Sequence, residues 1–430
     1  MYRLKRLIVT FVPPPILHFY HLLLAYLGAI VNGNPSRKLL VIGVTGTKGK
    51  SSTTEMVNAI FEEAGYKTAL LNSIRIKVAE KSEPNTMRMS MPGRFYIQNF
   101  LSTAHRDGCT VAILEMTSEG ARQNRHRAIA LDALIFTNLA PEHIESHGSL
   151  RAYADAKFEI AQALVRSPKR PRTIVANADD PESSRYVTLS VERVLPFSLA
   201  ANQSAVADEH GGHFRFDDVD IPVHLPGSFS LKNALAAATL ANALGIRTSV
   251  IAQALDTLTH IPGRAERIEA GQDFAVVVDY AHTPDSLTAL YDAYNSPSTT
   301  LGIKRKLICV LGATGGGRDL WKRPVMGTIA DERCDQIILT NEDPYDEDPR
   351  SVLESVARGM KRQPEIIIDR REAIRRALSL ANHGDVVLIS GKGTDPTIQV
   401  AGGKAIPWSD AGVAREELTQ LLGVQRVRDV

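Results

Sequence analysis

Cysteine is scarce in this chain, which has only Cys109, Cys309 and Cys334 among its 430 residues. Three cysteines do not make the framework of a disulfide-rich secreted domain, and their spacing matches no zinc-binding pattern. Cys109 and Cys309 lie at or inside strand-like runs, so we expect buried thiols. The sequence therefore predicts a protein of a reducing compartment, the cytoplasm.

An excess of charge of one sign is also absent, since 50 basic and 48 acidic residues leave a formal net charge of +2. This balance gives no reason to expect nucleic acid as the main partner. The chain has no internal repeat and no low-complexity tract. Its 44% of hydrophobic and 23% of charged residues are typical of a globular protein, and its length predicts two or three domains with large cores.

A long uninterrupted apolar run is missing as well. The best candidate, Ile16 to Val31, is about a turn short of the ~20 residues that span a bilayer, and it contains His18 and His21. Basic residues flank this run on both sides, which argues against crossing. We therefore expect residues 1–36 to form an interfacial anchor on the inner membrane face, or a helix packed on the protein's own core or on a second subunit.

The most informative stretch that is present is residues 39–53, L-L-V-I-G-V-T-G-T-K-G-K-S-S-T. A β-favouring run meets three glycines, and a helical pattern follows over residues 52–64. Glycines let backbone N–H groups close around an anion, and a helix N-terminus adds its dipole, so this order predicts a phosphate-binding loop. Lys50 would reach the β- and γ-phosphates of ATP, and Ser51 would hold Mg²⁺. The loop is a variant, because Val44 stands where the common motif has its first glycine.

Two further apolar runs end in residues that could bind a metal ion. The run 111–114 is followed by Glu115, and the run 133–136 is followed closely by His143. Ligands of open α/β sheets bind at the carboxyl ends of strands, and a carboxylate there suits Mg²⁺. His143 alone could equally be a structural histidine. Between these features and the loop, residues 72–93 are irregular and polar, which is typical of a functional loop.

The C-terminal part alternates strand-like and helical patterns after a break at Ile261 to Arg264. Its apolar runs are residues 276–279, 307–311, 336–339, 366–368 and 386–389. This alternation predicts a parallel sheet with helices on both faces, similar to a dinucleotide-binding fold. We divide the chain into residues 1–36, a central ATP-binding domain of residues 37–262 and a C-terminal domain of residues 263–430.

Taken together, the motifs resemble the Mur ligase family, ATP-dependent amide-forming enzymes of peptidoglycan assembly, and within it the branch of the tripeptide synthetases. T-G-T-K-G-K-S resembles the family's T-G-T-N-G-K-T/S, E-M-T-S-E-G resembles E-V-S-S-H-G, and F-T-N-L-A-P-E-H-I-E-S-H-G resembles F-T-N-L-x-x-D-H-L-D-Y-H-G. The motifs V-V-V-D-Y-A-H-T-P-D, G-G-G-R-D-x-x-K-R-P and G-K-G-T-D extend the resemblance over roughly residues 38–425. The family implies an α/β fold, with a P-loop-type central domain and a Rossmann-like C-terminal domain.

The resemblance also implies roles for matching positions. Lys157 aligns with the lysine that the family carbamylates, which would give it a carboxylate-like group for metal binding. The implied ligands of two Mg²⁺ ions are Ser51, Glu115, His143 and carbamylated Lys157. The implied catalytic set is Lys50, Lys157, His143 and Glu115. The implied ATP-binding residues are Gly46, Thr47, Lys48, Gly49, Lys50, Ser51, Ser52, Asn138, Asn233, Arg264, Asp279 and His282.

The same resemblance implies positions for the two other substrates, a nucleotide-sugar peptide acceptor and an amino acid. These positions are Asn85, Thr86, Ser90, Ser118, Arg125, Asp343, Pro344, Gly391 and Asp395. The segment T-N-E-D-P-Y, residues 340–345, stands where the family has its amino-acid-selecting D-N-P-R. Its arginine is missing, so lysine or another amine-bearing residue stays open beside diaminopimelate.

The implied activity is acid–amino-acid ligation through an acyl phosphate, performed by a monomer without nucleic acid. Only 36 residues precede the central domain, so we expect the family's uridine-nucleotide-binding N-terminal domain to be missing. The acceptor would then be held differently, with a UDP or a lipid carrier both open. The alternatives are a folylpolyglutamate- or polyglutamate-type ligase, a non-catalytic nucleotide-binding partner and a membrane-bound regulator.

Overall fold

Two large sheets organise the chain, and the computed structural model describes residues 13–142, 144–295 and 305–428. The first sheet has the strand order β4-β3-β2-β5-β1-β6-β7-β8. Its strands are β1 (Leu40–Thr45), β2 (Thr68–Leu71), β3 (Arg75–Val78), β4 (Lys81–Pro84), β5 (Val111–Glu115), β6 (Ala133–Phe136), β7 (Thr173–Asn177) and β8 (Arg193–Phe197). The six strands from β2 to β8 in this order pair in parallel with their neighbours, and β3 and β4 add an antiparallel edge.

Helices cover both faces of this sheet, which explains why its central strands are continuously apolar. The helices of this part are α1 (Pro14–Val31), α2 (Lys50–Glu63), α3 (Arg94–Arg106), α4 (Ser118–Arg122), α5 (Ile144–His147), α6 (Leu150–Val165), α7 (Ser183–Val187), α8 (Ser228–Ala243) and α9 (Thr248–Thr257). One core joins the sheet to α2, α8 and α9, and the other joins it to α3 and α6. Because β1 lies between β5 and β6, the ends of all three strands meet at one edge.

A small antiparallel sheet interrupts the central region, as the turn-rich residues 200–224 predict. Its strands are β9 (Val206–Ala207), β10 (Gly212–Phe216) and β11 (Val219–Val223). This sheet packs against the core that contains α8 and α9 through the buried side chains of Phe214, Ile221 and Val223. The excursion therefore supports the helices on one face of the main sheet.

The second large sheet has the order β12-β13-β17-β14-β15-β16 and is parallel except for β12. Its strands are β12 (Glu266–Arg267), β13 (Ala275–Asp279), β14 (Leu307–Leu311), β15 (Gln336–Leu339), β16 (Glu365–Ile366) and β17 (Val386–Ser390), and a hairpin follows as β18 (Thr397–Val400) and β19 (Lys404–Pro407). The helices are α10 (Pro284–Tyr294), α11 (Lys322–Arg333), α12 (Pro349–Ala357), α13 (Arg370–Leu380) and α14 (Asp410–Arg428). The α/β fold is confirmed in both parts, and the exact domain bounds stay a prediction.

Two expectations from the sequence were wrong. Residues 72–93 contain β3 and β4, which have only four residues each, and β4 is exposed throughout at the sheet edge, so the two strands give little apolar signal. Cys309 and Cys334 form a disulfide, because β14 and the end of α11 direct both side chains into one core. Cys109 is a buried thiol as expected.

Helix α1 packs against α3 along one of its faces. Ala25 and Ala29 are each 1% exposed, and a Cβ added at Gly28 would lie 3.6 Å from the Cα of Phe95. Small residues thus let the two helices approach closely. Among the described residues, no helix has both the length and the apolar character needed to cross a membrane.

A buried ion pair fixes α14 to α13. The guanidinium of Arg370 donates from Nε to Oδ1 of Asp410 at 2.8 Å and from Nη2 to Oδ2 at 2.6 Å. Both side chains are at most 1% exposed, and the indole of Trp408 also donates to Asp410 at 2.7 Å. This geometry satisfies charges that would otherwise be costly to bury.

Asp410→Asn should lower the free energy of unfolding of the C-terminal part by about 3–5 kcal/mol, because the charge of Arg370 stays buried without its partner. The matched control is Asp292→Asn, which removes a pair with Arg333 whose carboxylate is 54% exposed and should cost about 0–1 kcal/mol. Trp321 and Trp408 are the only tryptophans, so urea unfolding followed by their fluorescence reports this part. Equal effects of the two variants would contradict the assigned role.

Candidate active site

The phosphate-binding loop between β1 and α2 is held by the residues that follow β6. The backbone N–H of Thr47 donates to the carbonyl of Asn138, and that of Lys48 donates to Asn138 Oδ1, each at 2.8 Å. Thr137 Oγ1 donates to the carbonyl of Lys48 at 2.7 Å. A Cβ added at Gly46 would lie 1.9 Å from Thr137 Oγ1, so this position requires glycine. The loop is thus preorganised by direct contact with a neighbouring strand.

Helix α2 begins at Lys50, two residues before the helical pattern predicted from the sequence. Lys50 and Ser51 therefore occupy the first turn, where backbone N–H groups lack helical partners and can bind an anion. Gly49 has a φ of 80°, and a Cβ added there would lie 2.2 Å from Asn233 Oδ1 of α8. The structure therefore brings Asn233 against the loop. Lys50 Nζ donates to the carbonyl of Thr47 at 2.9 Å.

Lys157 projects from α6 to the same loop. Its Nζ donates to the carbonyl of Gly46 at 2.6 Å and lies 4.5 Å from the centroid of the Tyr153 ring, and the residue is 2% exposed. Burial lowers the pKa of Lys157 well below its ordinary value, and the nearby charge of Lys50 lowers it further. Lys157 is therefore a buried lysine and not the solvated one that an exposed helix face would carry. An amine must be unprotonated to take up carbon dioxide, so this environment suits the carbamylation that the resemblance implies.

Glu115 ends β5 and accepts hydrogen bonds on both carboxylate oxygens. Its Oε2 accepts from Ser51 Oγ at 2.9 Å and from the N–H of Ser73 at 3.0 Å, and its Oε1 accepts from Ser90 Oγ at 2.8 Å. Arg264, from the C-terminal part, donates to Ser51 Oγ and Ser73 Oγ at 3.2 Å each. These contacting side chains are therefore neighbours in space, although they span 214 positions of the sequence, from Ser51 to Arg264.

Ser51 and Glu115 fit Mg²⁺ in their donor chemistry. Magnesium prefers hard oxygen ligands and commonly takes one or two protein groups together with phosphate oxygens. His143 lies outside the described residues, so its expected metal contact stays a prediction. No cluster of three or more His, Cys, Asp or Glu side chains that could hold a metal ion occurs in the described ranges. The residues therefore fit one Mg²⁺ shared with a nucleotide, and the second site stays a prediction.

Asp279 stabilises, by hydrogen bonds, the backbone of the C-terminal part that lies near the loop. Its Oδ2 accepts from the N–H of Ala265 and its Oδ1 from the N–H of Ala281, each at 2.6 Å. These bonds fix the backbone beside Arg264 and His282. Burial raises the pKa of the Asp279 carboxyl, and the nearby charge of Arg264 opposes that rise.

Glu142 joins the central and C-terminal parts of the chain. Its Oε1 lies 3.1 Å from Lys48 Nζ and 3.1 Å from His282 Nε2. No role for Glu142 was predicted from the sequence. A signal was present, since Glu142 stands in the E-H-I-E-S-H-G motif, but a motif does not reveal a partner 140 positions away.

The expected acceptor residues border one segment, residues 85–93. Asn85 is 3% exposed and donates to the carbonyls of Asn72 at 2.6 Å and Met89 at 3.1 Å, so it shapes the segment. Arg125 donates to the carbonyl of Met91 at the other end. Ser118, at the start of α4, is buried, and Thr86 is exposed. Their contacts with an acceptor stay predictions.

A second polar network lies where we expect the amino acid. Lys392 is 1% exposed and donates to Asp343 Oδ1 at 2.8 Å and to Asp395 Oδ2 at 2.9 Å. Arg88 donates to Asp343 Oδ2 at 3.0 Å and to Asp395 Oδ2 at 2.9 Å. Segment 85–93 therefore contacts both Glu115 and the C-terminal network. Sequence reasoning missed Arg88 and assigned nothing to Lys392, because only the fold brings them to these aspartates.

Pro344 and Gly391 shape the backbone around this network. A Cβ added at Gly315 would lie 2.1 Å from the carbonyl oxygen of Pro344, so the two loops touch. Gly391 has a φ of 112°, and a Cβ there would lie 2.7 Å from Glu342 Oε2. Pro344 thus contacts a neighbouring backbone and Gly391 a buried side chain, and the contacts of both with a substrate stay predictions.

Comparison with known proteins agrees with this arrangement. Residues 44–241 match the Mur ligase middle domain, and residues 263–393 match the Mur ligase, glutamate ligase domain. A UDP-N-acetylmuramoyl-L-alanyl-D-glutamate–2,6-diaminopimelate ligase of Syntrophomonas wolfei is 36% identical over 408 residues, which are 92% of this chain and 81% of that protein. A UDP-N-acetylmuramyl-tripeptide synthetase of Roseiflexus sp. is 36% identical over 425 residues, 93% of this chain and 82% of that protein.

Solved structures show the same fold. A UDP-N-acetylmuramoyl-L-alanyl-D-glutamate–2,6-diaminopimelate ligase is similar with a TM-score of 0.60 and 26% identity, over 89% of this chain and 79% of that one. The folylpolyglutamate synthase of Mycobacterium tuberculosis, complexed with ADP and AMPPCP, has a TM-score of 0.67 at 17% identity, over 92% of this chain and 94% of that one. At that identity the likeness concerns the fold alone.

Lys157→Met should stabilise the protein by about 1 kcal/mol at pH 7 in carbonate-free buffer, because folding then no longer has to remove the proton of an amine or bury its charge. The folded-state pKa lies below the unfolded value of about 10.4, so the unfolded chain binds more protons, and the cost of burying Lys157 falls as the pH rises. The advantage of the variant should therefore shrink at about pH 9.5.

Urea unfolding followed by circular dichroism at both pH values measures this difference. Lys81→Met is the matched control, since Lys81 is exposed on β4 and its replacement should have the same small effect at either pH. A stability difference for Lys157→Met that does not change with pH would contradict a depressed pKa.

Proposed function

Because the chain belongs to the Mur ligase family, we propose that it is an ATP-dependent amide ligase that adds an amino acid to a muramyl-peptide acceptor in peptidoglycan precursor synthesis. The observation that carries this proposal is the contact set of Ser51, Glu115 and Arg264. It joins the start of α2, the end of β5 and the C-terminal part at one point. A binding module would need only the loop, whereas ligation needs groups from both parts around the nucleotide.

In the first step the acceptor carboxylate attacks the γ-phosphate of ATP, which gives an acyl phosphate and ADP. Phosphoryl transfer depends on alignment and on neutralising the charge of the phosphoryl oxygens. Lys50, the N–H groups at the start of α2 and Arg264 supply this positive charge. Bound Mg²⁺ would add further charge neutralisation, with Ser51 and Glu115 as its protein ligands.

In the second step the amine of the amino acid attacks the acyl carbon and phosphate leaves. The chain's part is to hold acceptor and amine in contact, which can supply up to roughly 7–11 kcal/mol in ideal cases. Segment 85–93 serves both, since Ser90 contacts Glu115 and Arg88 contacts Asp343 and Asp395. We propose that the amine binds at this second network.

The finer features are proposals too. We infer a cytoplasmic monomer that uses two Mg²⁺ ions, with Lys157 carbamylated, and that contacts the membrane peripherally through residues 1–36. Similarity to proteins named as diaminopimelate ligases makes that amino acid the first to test. The segment T-N-E-D-P-Y departs from D-N-P-R, so lysine and other diamino acids belong in the same screen.

A substrate screen tests the proposal. Phosphate release from ATP should rise when UDP-MurNAc-dipeptide or its lipid-linked form is supplied together with diaminopimelate, lysine or another diamino acid. In each turnover the amine then attacks the acyl phosphate and releases its phosphate. The measurement is phosphate release with mass spectrometry of the product. Failure of both acceptors with every amine would remove the peptidoglycan assignment, and turnover of a folate with glutamate would favour a folylpolyglutamate-type ligase.

Lys50→Ala should lower kcat by about 10²–10³-fold, because one cation that meets charge developing in the transition state is removed. Thermal unfolding checks that the fold is kept. Lys81→Ala, on the exposed edge strand β4, is the matched control and should leave kcat unchanged. A folded Lys50→Ala variant with normal turnover would refute the assigned role of the loop.

A further inference from the structure

Helix α1 presents a continuous apolar face to the outside of the molecule. Its large apolar side chains with exposed fractions of 44–69% are Ile16, Phe19, Tyr20, Leu23, Tyr26, Leu27, Ile30 and Val31. A contiguous patch of this kind marks an interaction surface, whereas singly exposed apolar side chains are ordinary. The helix contains no Asp, Glu, Lys or Arg, and its two histidines are His18 and His21. Phe95 and Tyr96, at the start of α3, are 40% and 38% exposed and add aromatic surface on the neighbouring helix.

The orientation of this face is fixed by the opposite side of the helix. Ala25, Gly28 and Ala29 are buried against α3, as described above. Asn124 Nδ2 donates to the carbonyl of His18 at 3.3 Å, which ties the first half of the helix to the loop before β6. The outward side chains therefore cannot turn into the core without breaking these contacts.

The charge around the helix indicates what covers the face. The first acidic residue of the whole chain is Glu55, so the apolar helix lies in a segment whose charged side chains are all basic. Arg37 and Lys38 are exposed in the 3₁₀ turn Pro35–Lys38, which begins four positions after the last helical residue, Val31. Cations beside an apolar, aromatic-rich helix suit a bilayer surface that carries anionic lipid. A second copy would bring the same basic segment against itself without an acidic partner in that segment.

We propose that α1 lies in the plane of an anionic membrane surface, with its outward apolar face in the acyl boundary and Arg37 and Lys38 at the headgroups. Interfacial binding needs no membrane-crossing length, and Tyr and Phe side chains suit this depth. The bound membrane would lie beside the expected acceptor residues, since α3 follows segment 85–93 directly and Asn124 precedes Arg125. The docking itself rests on the surface of α1 and not on the proposed catalytic function.

Vesicle sedimentation with the full chain tests this inference. The probes are phosphatidylcholine vesicles with roughly 30% phosphatidylglycerol and vesicles of phosphatidylcholine alone. The protein should pellet with the anionic vesicles, much less with the neutral ones, and less again at high salt because salt screens the cations. Protein that stays in the supernatant with anionic vesicles at low salt would overturn the proposal. This assay needs no turnover, so its failure is distinguishable from failure of the ligase assignment.

Substitutions test whether vesicle binding depends on this apolar face or on non-specific adsorption of exposed apolar side chains. The combined variant Phe19→Ser, Leu23→Ser, Ile30→Ser should lower the vesicle partition coefficient at least about tenfold, because three inserted apolar side chains are lost. The matched control is Tyr66→Ser, Val206→Ser, Ile406→Ser, whose targets are 42%, 57% and 49% exposed on other elements. This control should bind vesicles like the unmodified chain.

The charge is tested by Arg37→Ala with Lys38→Ala, which should lower the partition coefficient roughly fivefold for each cation on anionic vesicles only. Thermal unfolding confirms that each variant is folded. Unchanged vesicle binding of the folded three-serine variant would overturn the proposal. A dimer in sedimentation velocity that the three-serine variant dissociates, without vesicle binding, would assign the face to a second copy instead.

Discussion

Parallel pairing of β1 with both β5 and β6 is the constraint on which the candidate site depends. The register places Val44 beside Glu115 and Thr45 beside Phe136, so the loop leaves the sheet between the ends of its two neighbours. A slip of one residue would turn Glu115 to the other face of the sheet. The close fit at Gly46 follows from this arrangement, because the loop has no room beside Thr137, while Asn233 of α8 limits the space at Gly49. The position of the candidate site at this edge is therefore a consequence of the strand order.

The site also concentrates positive charge before any nucleotide is bound. Lys48, Lys50 and Arg264 lie around the loop, and after burial the charges of Lys50 and Lys48 lower the pKa of Lys157 further. Such repulsion costs stability in the free protein, since burying an amine beside other cations is unfavourable. A triphosphate would relieve it. The same arrangement that weakens the free protein thus favours binding of a polyanion, and Glu142 limits the cost by pairing with Lys48.

The features that could be predicted from the sequence are those formed by residues close together along the chain. The loop, the strand-end position of Glu115 and both parallel sheets follow from local patterns, because apolar runs, glycines and helix starts are local signals. Arg88 with Asp343 and Glu142 with His282 could not be predicted, since each pair is more than a hundred positions apart and only the packing of two domains joins it. The disulfide was missed for the same reason: two cysteines 25 positions apart reveal nothing until a shared core is known.

Segment 85–93 connects features that otherwise belong to separate parts of the molecule. Its Ser90 contacts Glu115, its Arg88 contacts the C-terminal aspartates, and it runs into α3, on which the apolar helix α1 rests. Arg88 has a φ of 55°, an uncommon conformation for a residue with a side chain, which surrounding contacts must maintain. Separation of the two domains would break the ion pairs of Arg88 and remove contacts that maintain its backbone conformation. The segment therefore links Glu115, the C-terminal aspartates and the helix that supports α1.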